Sequence, residues 1–261
     1  VERMSFRTLL PTARTEPRPS IPGRLIGDAP KKMKSKAVEI DSRITPQAKR
    51  DAHIHYIVAF CGGFLTVFPL ENIVKSFGSS QTTHLIEMVR LLIGKDWFEL
   101  GLRFAGVLIF ALPIFFVTYA KEHTKINVKY LALLVDVAMG FLMWLMPTNW
   151  PKVVYLYPTF FAMSLQWSSF SGSYGYAAST NFCTNNFKQT ISALTEYFCN
   201  GKNEFKLKAQ FYGAVLAGYY LGIFAGFKLF EKLGNFCFTL VTIPCAIIAV
   251  LIATFPKDSE K

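Results

Sequence analysis

The chain is short of acid and of the residues that usually carry catalysis. Seventeen Asp and Glu stand against 28 Lys and Arg, and 261 residues include only four His and five Cys. No two cysteines are spaced Cys-x-x-Cys, which excludes a dithiol redox pair and a zinc ribbon. Cys61, Cys183, Cys199, Cys237 and Cys245 all lie in or beside apolar stretches, where free thiols behave as small buried hydrophobes. His53 and His55 are two residues apart, a spacing that does not place both on one helical face, so no metal site is expected there. No phosphate-binding Gly-rich loop, dinucleotide fingerprint or Gly-x-Ser-x-Gly elbow occurs. A non-enzyme without cofactor or metal is therefore expected, and no nucleic-acid partner. Asn-x-Ser/Thr is also absent, and no strand-like alternation suggests a β-barrel.

What the chain has in excess is apolar surface. Apolar residues make up 52% of it, and 25 are Phe. The longest runs are 54–70, 104–120, 130–146, 153–170, 211–230 and 236–255. Each approaches the ~20 helical residues that cross ~30 Å of hydrocarbon. The expectation is an all-α, polytopic membrane bundle whose principal environment is the lipid bilayer. Residues 1–54 differ: 12 Lys and Arg face 6 Asp and Glu, with six prolines. Such a segment cannot build a core and reads as a basic, loop-like or partner-bound arm. Excess Lys and Arg place it on the cytoplasmic side, within reach of anionic lipid headgroups or other protein subunits.

Two stretches look like copies of one unit, 55–146 and 152–256, followed by a tail at 257–261. Each has a long apolar helix, a break, a short helix with a polar start, and two further apolar helices. The breaks are Gly78–Ser79–Ser80 and Ser171–Gly172–Ser173–Tyr174–Gly175–Tyr176. The first short helix, from Thr82 to about Gly94, is too short to cross comfortably and carries Glu87 and Arg90. If neither short helix crosses, each copy has three spans, and the odd count inverts the second copy. The expectation is six full spans plus two short or re-entrant helices, with both termini on the cytoplasmic side.

The stretches Phe77–Gly78–Ser79–Ser80–Gln81–Thr82–Thr83–His84–Leu85, Gly94–Lys95–Asp96 and Phe161–Ala162–Met163–Ser164–Leu165–Gln166 resemble motifs of the YoaK-type family of uncharacterised bacterial inner-membrane proteins. The resemblance covers about 54–255. It implies a six-span protein of the bacterial inner membrane and no established biochemistry. The chain departs from the family where Thr83 and His84 replace a Gly–Asn pair, where Leu65 and Thr66 stand in place of an Asp, and where Ser164 and Trp167 replace Gly and Asn.

Asp136 is the sharpest single residue. It sits in the middle of an apolar helix, where a carboxylate costs ~2.5–3.5 kcal/mol on insertion scales and marks a functional site by default. Arg103, Arg90, Lys188 or the polar helix starts are its expected partners. Those starts, Thr82–Thr83–His84 and Thr184–Asn185–Asn186, either cap their helices or present free N–H groups to an anion. Gln166 is expected to line the same cavity. Ala214, Gly218, Gly222 and Gly226 recur every four residues, a stripe that lets a second helix approach closely; internal packing is expected over a homo-oligomer seam. Two functions fit. One is a small-solute transporter or permease with its site at the repeat interface, which requires a cavity touching Asp136. The other is a non-transporting subunit that docks onto a larger complex through its basic arm.

Overall fold

Caps and apolar faces set the helix boundaries in the computed structural model of the chain, which describes residues 42–72, 81–147 and 149–254, all within one unit spanning 40–261. Helix α1 runs Pro46–Asn72. Pro46 holds the first helical position, where a missing N–H is not needed, and the Thr45 hydroxyl accepts from the Ala48 N–H at 3.0 Å. Residues 46–54 are thus helical rather than part of a loop-like arm, which corrects the expected boundary at 54. Residues 1–41 of the arm lie outside the described residues. Ala52, Val58, Cys61, Leu65 and Phe68 of α1 are buried on several sides, as in a central helix that is apolar all round.

The remaining helices are α2 (Gln81–Gly94), α3 (Trp97–His123), α4 (Val128–Leu145), α5 (Leu156–Ser169), α6 (Cys183–Asn200), α7 (Asn203–Leu233) and α8 (Thr242–Ala253). Asp96 caps α3 through the Glu99 N–H, and Asn127 caps α4 through Lys129 N–H, both at 3.1 Å. Gly201 at φ 63° ends α6 in the left-handed conformation that glycine allows. Short 3-10 helices, Lys152–Tyr155 and Gly234–Val241, lead into α5 and α8. The Gly/Ser/Tyr-rich break is a two-stranded hairpin, β1 (Gly172–Ser173) with β2 (Tyr176–Ala177). Tyr174 and Gly175 turn it with positive φ at both positions, the backbone of a tight hairpin turn. Among the described residues the fold is otherwise all-α.

Among the described residues, four stretches are long and apolar enough to cross a membrane: Pro46–Asn72, Trp97–His123, Val128–Leu145 and Asn203–Ala253. The last is broken at Gly234, where the chain turns from α7 into the 3-10 helix. Phe104, Leu108, Leu112 and Phe115 of α3 point outward at helical spacing, an apolar face suited to lipid. The protein is an integral membrane protein by this composition and helix length.

α1 packs along α7, and α3 packs along α5. Both pairs run parallel. Gly218, Gly222 and Gly226 meet Tyr56, Phe60 and Phe64 in order, while Tyr157 donates to the Leu102 carbonyl and Lys121 to that of Ser168. α2 lies on α3 and α6 on α7; α4 packs against α5 and α8 against α1, and the second 3-10 helix meets α4. At one end of the bundle Asn72 donates to Asn235 at 2.8 Å, joining the end of α1 to the start of that 3-10 helix. The opposite end holds the start of α1, the end of α3, the start of α4 and the end of α5.

Candidate functional site

Asp136 of α4 is fully buried and hydrogen-bonded to one partner: Gln166 Nε2 donates to its Oδ2 at 2.8 Å. None of the expected cations takes that place. Arg103 pairs with Glu99 at 2.9 Å, one turn away on the same helix, and Arg90 pairs with Glu87 at 2.7 Å. The hydrogen bond from Arg90 holds the Glu87 carboxyl below its usual range. These pairs form within one or two turns of the same helix, and nothing in the sequence pattern rotates either arginine toward α4.

The pair is roofed by glycine and a loop. Gly62 of α1 shows its open face to three oxygens. Gln166 Oε1, the Thr180 carbonyl and Asn181 Oδ1 stand 3.0, 2.8 and 2.9 Å from the point a Cβ would occupy. Asn181 is held by the Thr180 hydroxyl, which donates to its Oδ1 at 2.7 Å, and by its own Nδ2, which donates to the Met163 carbonyl on α5. Thr66 donates to the Gly62 carbonyl at 2.7 Å. Nearby, Cys61 of α1 and Cys245 of α8 are buried in the same apolar cluster. The outer oxygens of the pair, Asp136 Oδ1 and Gln166 Oε1, are buried without a partner.

The other expected site residues are placed elsewhere. Thr82 and Thr83 are exposed at the start of α2, and Thr184 and Asn185 at the start of α6. The third member of each triplet turns inward. His84 donates from Nε2 to the Arg103 carbonyl at 2.7 Å and meets the Phe160 ring edge-on at 5.0 Å. Asn186 donates to the Ser179 carbonyl at 2.6 Å and accepts from the Ser179 N–H, closing the loop before α6. The helix starts therefore do not converge on Asp136. Gly218, Gly222 and Gly226 lie against α1, with Ala214 half-buried at the head of the stripe. Residues 77–80 of the first motif lie outside the described residues. His53 donates to the Lys49 carbonyl, and His55 is buried beside the Phe211 ring with its Nε2 unpartnered among the described residues.

Sequence reading passed over a second feature, a cavity of about 760 Å³ at the end of the bundle where α1 begins. Arg50, Lys121, Lys125 and Lys129 line it against one acid, Asp51. Asp51 lies 3.8 Å from Lys129 and 3.7 Å from Arg50. Ser169 also lines it, with its hydroxyl buried and unpartnered. The cavity does not include Asp136 among its lining residues, against the expectation for a transport site. Ser169 is nonetheless one helical turn, about 4.5 Å of rise, from Gln166. The signal was present as the basic segment 121–129, but sequence alone could not tell that the ends of α3, α5 and α8 gather around it. Among the described residues, no three His, Cys, Asp or Glu side chains cluster as metal ligands.

A family model described as a protein of unknown function, DUF1275, matches residues 54–252. No curated protein and no solved structure matches the chain.

Proposed function

The chain belongs to the DUF1275 family, of which YoaK-type proteins are one member, and on that premise we propose that it is a permease for a small anionic solute. The observation that carries this reading is the cation-lined vestibule; the buried Asp136–Gln166 pair lies near it but outside its lining, so the expected cavity touching Asp136 is not met in this conformation. Ionisable groups at membrane depth are costly and mark solute or ion pathways. Four cations against one acid favour an anion at the mouth, since like-charge solutes meet a repulsive field there. The pair is closed off from the vestibule in this conformation. Alternating access opens it when the two halves rock against each other.

The packing supports a two-fold arrangement. Exchanging α1 with α5, α2 with α6, α3 with α7 and α4 with α8 carries α1–α7 onto α5–α3, and α2–α3 onto α6–α7. In this reading α1, α3, α4, α7 and the two composite helices 152–169 and 234–253 make six crossings. α2 reaches along α3 only as far as Arg103 and Gly106, and α6 packs on the first part of α7 with Thr190 at Gly213, so in this reading neither crosses. The second copy is then inverted. Lys121, Lys125, Lys129, Lys202, Lys206 and Lys208 fall at the same end, which the positive-inside rule assigns to the cytoplasm together with the N-terminal arm.

Purified protein in liposomes loaded with a panel of small organic and inorganic anions tests the reading. Uptake of at least one anion, reduced tenfold or more by Lys125→Glu with Lys129→Glu, is the expected result. No flux of any anion, with a protein that folds and inserts, would refute it.

A further inference from the structure

We infer that the Asp136–Gln166 pair is a proton-binding site, and that a half-turn of the Gln166 amide passes the proton's presence to the loop at 178–182. The inference rests on the transport reading for its purpose, since a bound proton is then the coupling ion. Its geometry and its test need no solute.

In the arrangement described, Gln166 commits its NH2 group to Asp136 Oδ2 and leaves Oε1 among other acceptors. The Thr180 carbonyl and Asn181 Oδ1 share that small space on the open face of Gly62, and no donor reaches Oε1. Asp136 Oδ2 is an acceptor in this arrangement, as both oxygens of an ionised carboxyl are. The oxygen and nitrogen of a side-chain amide occupy nearly the same shape, so a half-turn exchanges them without repacking. The NH2 group then faces the two loop acceptors, while the amide oxygen faces Asp136 Oδ2. Two oxygens face each other there unless Asp136 carries a proton.

One proton therefore switches the network. The carboxylate takes up H+ at Oδ2, and the new O–H donates to Gln166 Oε1. Gln166 Nε2–H in turn donates to the Thr180 carbonyl or Asn181 Oδ1. No bond other than O–H forms, and the charge change is the one positive charge that arrives. The acid form leaves one fewer buried acceptor without a donor, and such acceptors are expensive. Proton entry is from the vestibule side, where Ser169 lies three residues along α5 from Gln166.

No fixed charge from the packed helices competes for Asp136 among the described residues. α5 presents Gln166, α1 brings the buried thiol of Cys61 and α8 that of Cys245. The second 3-10 helix brings buried Cys237. On α3 the charged residues lie toward the two ends, with Arg103 held by Glu99. His55 of α1 is buried beside the Phe211 ring. The loop that receives the switch leads straight into α6. Its Phe182 meets the ring of Trp167, the neighbour of Gln166, edge-on at 5.1 Å.

That contact supplies a reporter. The full chain is reconstituted with Trp97, Trp144 and Trp150 replaced by Phe, leaving Trp167 alone. Infrared difference spectra and Trp167 emission are recorded across pH. A protonated-carboxyl C=O band that vanishes as pH rises, with a Trp167 shift at the same midpoint, is expected. Asp136→Asn should abolish both, because its amide donates to Gln166 at every pH. Gln166→Leu should keep the band, moved to higher frequency, and lose the Trp167 shift. A band that survives Asp136→Asn, or a Trp167 shift that survives Gln166→Leu, would overturn the inference, as would a wild type with no titrating carboxyl band. Anion uptake measured in the same liposomes separates the two readings. Titration without uptake counts only against transport, and uptake indifferent to a pH gradient counts only against the proton.

Discussion

The two parallel helix pairs, α1 with α7 and α3 with α5, are joined by different physics. α1 meets α7 backbone to backbone. A side chain at Gly218 would stand 2.6 Å from the Tyr56 carbonyl, and one at Gly222 or Gly63 would collide with the opposing main chain. α3 meets α5 through side chains, with Tyr157 bonding the Leu102 carbonyl at 2.6 Å, Lys121 reaching Ser168, and Phe160 packed under Gly106. Without a hydrophobic force between helices in lipid, close backbone approach is what holds the first pair. The second can slide by changing rotamers.

Substitutions that break the comparison should rank accordingly. Gly222→Val should be the most damaging, costing on the order of 3 kcal/mol or more, because main chain rather than a flexible side chain must yield. Loss of the folded peak in size-exclusion chromatography in mild detergent is the expected result. Gly62→Ala comes next, at roughly 1–3 kcal/mol, because three oxygens hold that face. Its unfolding midpoint should fall, and the Trp167 response to pH should be lost with it. Tyr157→Phe removes a single hydrogen bond to a carbonyl and should cost about 1 kcal/mol, read as a small drop in midpoint. Gly106→Ala should also cost about 1 kcal/mol, since it meets the His84 and Phe160 rings at 3.0 and 3.2 Å and these need yield by only a few tenths of an ångström. Gly101→Ala, on α3 with nothing within 4 Å, should raise stability by about 0.5–1 kcal/mol. If Gly222→Val were no worse than Gly106→Ala, the distinction between the seams would be wrong.

Much of the secondary structure was legible in the chain. The described part of each of the six apolar runs is almost wholly α- or 3-10-helical, and the two short helices occupy the expected places. The early start of α1 was also written locally, in Thr45–Pro46, although the charge around it drew attention to an arm. The hairpin was legible in Tyr174–Gly175 only in retrospect, because its strands are two residues long. The site was legible in part. Asp136 and Gln166 were both singled out, yet their pairing was not, because both lie on largely apolar helices whose rotation no local pattern fixes. Thr82, Thr83, Thr184 and Asn185 carried the right chemistry for an anion site but face outward, and only the third residue of each triplet turns in.

By itself the sequence determined which segments become helices and that several of them belong in a bilayer, because caps, breaks and apolar length act over a few neighbouring residues. Only the tertiary structure decided that Gln166 meets Asp136, that Gly62 opens its face to Gln166 and Asn181, and that the lysines of 121–129 line a cavity. Those facts depend on how helices far apart in the chain are rotated against one another, and that is set by the packing of all of them together.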